Sequence, residues 1–494
     1  MDKFAFYAHT FSIVTLLLAG ASATLRGQSS WTTQLPGIGT FSSPRVTDLT
    51  GDGIGDIILG AGRKELHASD SAIIALDGAT GRLLWRVAAR DQIFGSAALK
   101  DITGDGIDDV IIGGRSAELK AIDGASGDLL WEFFSASRLK KVRKANWYNF
   151  YNPQFIPDQN ADGLEDILVS NGGDVLVEAY DPDRPTGHLL VLSARDGSLL
   201  AKAPMPDGKE IYMSVIAIPN KGGEDRTIIF GTGGETIGGN LYATTLSDVM
   251  REDLSSARRL ASSPDKGFIA PPVAVDLTGD TLLDIVAISV AGDVLAFEGE
   301  RFEPLWTTTL PDTEAYSSLA VGYFTEDTIP DFFASVAQGE WPALEWNRQF
   351  MINGINGTIA FTDSLGFYQT STAVAIDLTG DQRDEILMSV NYQQVNELFQ
   401  KFFYNILVAI DFSRNDVKQL GELFEGSNIS SSPWIGDLDG DHNLDIIYCH
   451  GNSLRHTYTF DGLQIHRIAT ETPLPKSLPW GAYMGSDYNG LFQK

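Results

Sequence analysis

A ten-residue phrase rich in aspartate returns along this chain. It reads DLTGDGIGDI from Asp48, DITGDGIDDV from Asp101, DQNADGLEDI from Asp158, DLTGDTLLDI from Asp276, DLTGDQRDEI from Asp377 and DLDGDHNLDI from Asp437, with a weaker copy, YFTEDTIPDF, from Tyr323. A tight turn brings oxygens at loop positions 1, 3, 5 and 9, and the backbone carbonyl of position 7, towards one point. A hard cation such as Ca2+ takes about six to eight oxygens at ~2.3–2.6 Å. The predicted donors are Asp48, Thr50, Asp52, Ile54 and Asp56 in the first loop and Asp101, Thr103, Asp105, Ile107 and Asp109 in the second. The third offers Asp158, Asn160, Asp162, Leu164 and Asp166, and the next Asp276, Thr278, Asp280, Leu282 and Asp284. The last two offer Asp377, Thr379, Asp381, Arg383 and Glu385, then Asp437, Asp439, Asp441, Asn443 and Asp445. One Asp-Gly pair is an ordinary turn signal, but acids recurring at three fixed positions exceed what a turn needs. Two loops are weaker: Tyr323 replaces an acid and Pro330 stiffens its loop, while Gln382 stands where glycine would ease the bend. Acids at position 8 (Asp108, Glu165 and Asp384) are expected to face solvent.

Seven such ions would account for much of the composition. The 494 residues carry 65 acidic and 36 basic side chains, a net charge of −29, which seven divalent ions would bring to −15. That excess disfavours nucleic acid and anionic membrane surfaces as partners.

The elements that must position these loops repeat with them. Phrase starts lie 47 to 60 residues apart except for one interval of 118, and residues 219–228 (PNKGGEDRTI) fill that gap as a unit that lost its acids. Ser43, Ser96, Ser214, Ser318 and Ser432 each stand five residues before their loop. Around every loop lie short apolar runs of strand character, four per unit. Units starting near 41, 94, 150, 212, 268, 316, 370 and 430 therefore predict an all-β propeller of eight four-stranded blades, with seven as the alternative, and the acidic loop between first and second strands. The third and fourth strands join through Asp77-Gly78-Ala79-Thr80-Gly81 and Asp123-Gly124-Ala125-Ser126-Gly127, each leading to Leu-Leu-Trp; Trp85 and Trp131 read as wedges between blades. For ring closure, residues 31–35 and 466–470 compete for the fourth strand of the final blade.

The acidic phrase resembles the FG-GAP repeats of integrin α-subunit propellers and the VCBS repeats of secreted bacterial proteins. The Asp-Gly-x-x-Gly-x-Leu-Leu-Trp phrase is similar to the blade motif of pyrroloquinoline-quinone enzymes, whose propeller has eight blades. Together the resemblances cover residues 31–475, leaving 476–494 as a C-terminal tail. The quinoprotein resemblance implies adjacent cysteines near the cofactor, yet Cys449 is alone and reads as a small buried side chain.

Residues 1–23 read as an export signal: Lys3, an apolar run over 11–18, then Ala21-Ser22-Ala23. A membrane anchor or buried helix is the alternative. The expected location is extracellular or at the cell surface, periplasmic in a bacterium. Three inserts break the repeat: 137–151, with Arg138, Lys140, Lys141, Arg143, Lys144, Trp147, Tyr148, Phe150 and Tyr151; 250–259, of helical character; and 338–350, with Trp341 and Trp346. Seven scattered histidines show no metal-ligand spacing. The expected function is a calcium-stabilised, non-catalytic binding or adhesion module for an extracellular glycan or protein, with a quinoprotein oxidoreductase or polysaccharide-cleaving enzyme as the alternative.

Overall fold

A computed structural model describes residues 30–135, 139–223, 225–455 and 460–493; the export-signal segment, Ser137, Arg138 and His456 lie outside them. Eight antiparallel sheets form one ring, each with its first strand innermost, which settles the blade number at eight. Blade 1 runs Arg45–Thr47, Asp56–Gly60, Ser69–Leu76 and Leu83–Ala89. Second strands such as Asp56–Gly60, Asp109–Gly113 and Asp284–Ile288 are buried at every residue, because blades pack on both their faces. They therefore read as continuous apolar runs, whereas the outermost strand Trp31–Pro36 alternates between half-buried and exposed. The acid-free unit folds like the rest, as Ile216–Pro219, Arg226–Gly231, Gly239–Thr245 and Arg258–Ser263 of blade 4.

Closure uses both competing segments. Trp31–Pro36 is the fourth strand of blade 8 and pairs with Gly462–Pro473, Trp31 opposite Arg467 and Pro36 opposite Gly462. Residues 466–470 thus belong to the third strand, one place further in. The insert expected to be helical over 250–259 is helical earlier, at Leu246–Met250, where Thr245 caps the N-terminus by accepting the Asp248 N–H. By Arg258 the chain is already back in the sheet, opposite Ala243.

Two circumferential devices join blades. Indole N–H groups on fourth strands donate to the next blade's hairpin turn: Trp31 to the Gly78 carbonyl, Trp85 to Gly124, Trp131 to Ala194 and Trp306 to Gly354, at 2.8 to 2.9 Å. Glycine is required beneath them: at Gly197 φ is +72° and an added Cβ would fall 2.6 Å from the Trp131 ring. Near the axis, the recurring serines form a belt. The backbone N–H of Ser432 donates to the Ser43 hydroxyl, Ser43 to Ser96, Ser96 to the Asn152 side chain and Asn152 to Ser214.

The C-terminal residues run back into the ring. Leu491–Phe492 adds a parallel strand beside Val273–Val275 of blade 5. The Ala375 and Ile435 N–H groups of blades 7 and 8 donate to the Trp480 and Gly481 carbonyls, and Arg45 of blade 1 stacks 4.0 Å from the Tyr488 ring centre. Trp480, fully buried, and Met484 sit among the inner strands, so this segment plugs the axis.

Candidate ligand cavity and acidic loops

In the acidic loops the structure separates two kinds of carboxylate. Position 1 lies at the exposed rim and accepts N–H groups of its own loop: Asp48 from Gly51 and Gly53 at 2.7 and 2.8 Å, and Asp158 from Ala161 and Gly163 at the same distances. These bonds hold the Asp101 and Asp158 carboxyls below the usual carboxylate range. Position 5 accepts from position 7, as Asp52 does from Ile54 at 2.9 Å. Position 6 adopts positive φ in each of the six loops that begin with aspartate, relaxed at Gly53 (+85°) and strained for the side chains of Thr281 (+71°), Gln382 (+70°) and His442 (+65°). Position 9 is buried, and in blades 1, 2 and 5 it ties loop to hairpin. Asp56 accepts from Leu49, Thr50 and Gly78, Asp109 from Ile102, Thr103 and Gly124, and Asp284 from Leu277, Thr278 and Gly299. Burial raises the carboxyls of all three above the usual range.

The donor set along each loop is all oxygen, which fits a hard cation. In blade 8, Asp437, Asp439 and Asp441 each bring a carboxylate oxygen within 4.8 Å of the others. There Arg467 already supplies positive charge, 2.5 Å from Asp439 and 2.9 Å from Asp445. The position-8 acids expected to be solvated instead link blades: Asp108 accepts from the Thr47 hydroxyl at 2.7 Å, Glu165 pairs with Lys100, and Asp384 accepts from the Tyr323 N–H at 2.8 Å. Each partner sits at the end of the preceding blade's first strand, a neighbour no local reading of the loop supplies.

On the opposite face the ring encloses a cavity of about 590 Å³, floored by Tyr483 of the C-terminal plug. Its wall is built from one repeated place, two residues before the serine belt: Phe41, Phe94, Tyr212 and Tyr316 stand there in blades 1, 2, 4 and 6. Two of these belong to a Glu-x-Tyr phrase. Tyr212 donates to Glu210 at 3.0 Å, with Arg184 3.4 Å from the same carboxylate; Tyr316 donates to Glu314, which also holds Lys266. Burial pushes the Glu210 carboxyl and both tyrosine hydroxyls up. Long second-to-third-strand connections roof the mouth: Tyr180 of blade 3 approaches Trp341 of blade 6, ring centres 6.5 Å apart.

The inserts singled out in the sequence divide between roof and core. Trp341 joins the roof, whereas Phe150 and Tyr151 are buried and Trp147 packs on Phe133. Among the basic residues of that insert, Arg143 pairs with Asp174 at 2.7 Å while Lys140, Lys141 and Lys144 face solvent. Two of the scattered histidines meet: His450 and His466 lie 3.0 Å apart, Nε2 to Nε2, in the closure blade. Cys449 is buried beside them, its thiol pushed up to about 12 by burial. Among the described residues, no helix is long and apolar enough to cross a membrane.

Comparison with known proteins supports the same architecture. The chain is 21% identical over 405 residues to Protein FAM234B of Homo sapiens, covering 73% of this chain and 58% of that one, so it spans less than two thirds of that relative's length. It is similar in structure to a europium-containing methanol dehydrogenase (TM-score 0.56, 10% identity, 88% of this chain and 92% of that one). It is likewise similar to rhamnogalacturonan lyase YesW (TM-score 0.53, 14% identity, 95% and 79%), and both likenesses show the fold alone. A family profile described as outer membrane protein assembly factor BamB matches residues 46–146 and 69–323, more than half of the chain, from the first strand of blade 1 to that of blade 6. The chain therefore belongs to the family described as outer membrane protein assembly factor BamB.

Proposed function

We propose that this protein is a secreted, calcium-stabilised propeller that acts as a non-catalytic binding module, taking a group of a glycan or protein partner into the axial cavity. One observation carries the reading: the cavity is floored by Tyr483 of the chain's own C-terminal segment and lies beneath the Tyr180–Trp341 roof. A closed floor and mostly preformed walls favour capture over passage. The rings of Phe94, Tyr151 and Tyr212 offer apolar faces, and the charged groups among them give orientation. The family's description as an assembly factor agrees with partner binding. The solved enzymes contribute only a shared fold, and fold does not assign chemistry.

Calcium in up to seven loops belongs to the same proposal, in the FG-GAP or VCBS manner, with side-chain oxygens at positions 1, 3 and 5 as the chief donors. Its role is to hold loops whose exposed aspartates repel one another. The test is a glycan and extracellular-protein array probed with and without a calcium chelator, using the natural chain and Ser430→Trp, which places a bulky ring in the cavity and narrows it. Binding lost in the narrowed variant is expected. A partner bound equally well by both would place recognition elsewhere on the surface.

A further inference from the structure

Charge on the cavity wall does not balance. Glu65 meets Arg115 at 2.7 Å and Glu210 meets Arg184 at 3.4 Å, which occupies both cations of the wall. Arg184 is further committed to the roof through the Glu178 and Asp181 carbonyls, at 2.9 and 3.0 Å. Behind the wall, Lys266 is shared by Glu314 and Glu340. One acid remains. Glu235, on the connection between the second and third strands of blade 4, opens into the lumen, and among the described residues no cation lies within ion-pair distance of it.

Its surroundings are aromatic. Glu235 shares the cavity lining with Tyr151, Tyr212, Tyr316 and Tyr368. Tyr151 and Tyr212 meet edge to face at 6.4 Å, as do Tyr316 and Tyr368 at 6.1 Å, so several rings converge on the lumen at different tilts. Although its side chain is exposed to the lumen, crowding by the surrounding wall, then Glu314, raises the Glu235 carboxyl above its ordinary range, while Arg184 and Lys266 act the other way. An ionised carboxylate there meets lumen water but, among the described residues, no counter-ion. An arriving cation would supply one.

We infer that the cavity receives an organic cation, an ammonium or guanidinium group, with Glu235 as its counter-ion and tyrosine faces as its walls. Ring faces attract such groups through their quadrupole, most strongly where water is excluded. The inference rests on the cavity being the ligand site and adds the charge of what it takes. A basic side chain and an amino sugar share this chemistry and are separated by the probes.

The experiment is calorimetric titration at neutral pH with choline, butylammonium, methylguanidinium and glucosamine. Each is set against a neutral counterpart, above all 3,3-dimethylbutan-1-ol for choline and N-acetylglucosamine for glucosamine. At least one cation should bind about tenfold or more tightly than its neutral counterpart, and Glu235→Gln should weaken it by about tenfold or more. Because Glu235 makes no ion pair, that variant should melt like the natural chain. Binding of none of the cations, or equal binding by Glu235→Gln, overturns the inference. Binding of N-acetylglucosamine that survives Glu235→Gln but disappears in Ser430→Trp also overturns it, while leaving the cavity as the ligand site.

Discussion

On one face of the ring, Asp56, Asp109 and Asp284 repeat the same three backbone hydrogen bonds in three different blades, and four tryptophans repeat the same contact to the next blade's turn. On the other face almost nothing repeats except the place each side chain occupies. Connections there range from residues 289–292 in blade 5 to 173–187 in blade 3, and equivalent wall positions hold Phe41, Tyr212, Ile269 and Ser430. The repeated residues hold the ring together, and diversity is confined to where the blades end around the axis. A repeat array can vary that face freely because its stability is invested in the other one.

The comparison would break most severely at the plug, which belongs to both faces. Trp480→Ala removes a fully buried indole and should cost about 3–5 kcal/mol in denaturant unfolding, and opening the cavity floor should abolish ligand binding as well. Loss of stability without loss of binding would detach the plug from the site. Next in size, Asp284→Ala strands the N–H groups of Leu277, Thr278 and Gly299 and should cost about 1–3 kcal/mol, with cavity ligands unaffected. If Asp284→Ala weakens those ligands at constant folded fraction, the faces are coupled.

Acid offers a third probe. Burial lowers the His450 and His466 imidazoles to about 4 and about 3, so both are neutral in the folded closure blade. A folded value below the ordinary one means stability present above about 6.5 that drains away as pH falls towards 3–4. His450→Gln should flatten the melting temperature across that window; an unchanged slope would assign acid lability to other groups. The smallest effect is expected at Glu165→Gln. Its pair with Lys100 is two-fifths exposed, and its loss should cost under about 1 kcal/mol.

What could be read in advance follows the same division. The acidic loops, the wedge tryptophans and the serine spacing are periodic, so the ring and its eight blades were legible from residues 48–56 and their copies. Position-8 acids were misjudged as solvated because their partners, Thr47, Lys100 and Tyr323, belong to the preceding blade. The wall residues carried a usable signal, since Phe41, Phe94, Tyr212 and Tyr316 keep register with the serines. So did the density of Trp480, Tyr483, Tyr488 and Phe492 in a segment taken for a tail. Glu235 and Arg184 carried none, because charge balance across an axis depends on which blades face each other.

The interlocked termini of blade 8 also constrain how the protein is made. Thr32 finds its partner His466 only 434 residues later, and at roughly 5–20 residues per second synthesis between them takes about 20–90 s. Throughout that time blade 1, whose Gly78 turn receives Trp31, lacks the blade that Trp31 will complete, and the strand Trp31–Pro36 waits with an unsatisfied edge. Until Gly462–Pro473 is made, the backbone groups of that edge can be satisfied only by water or by pairing with another chain.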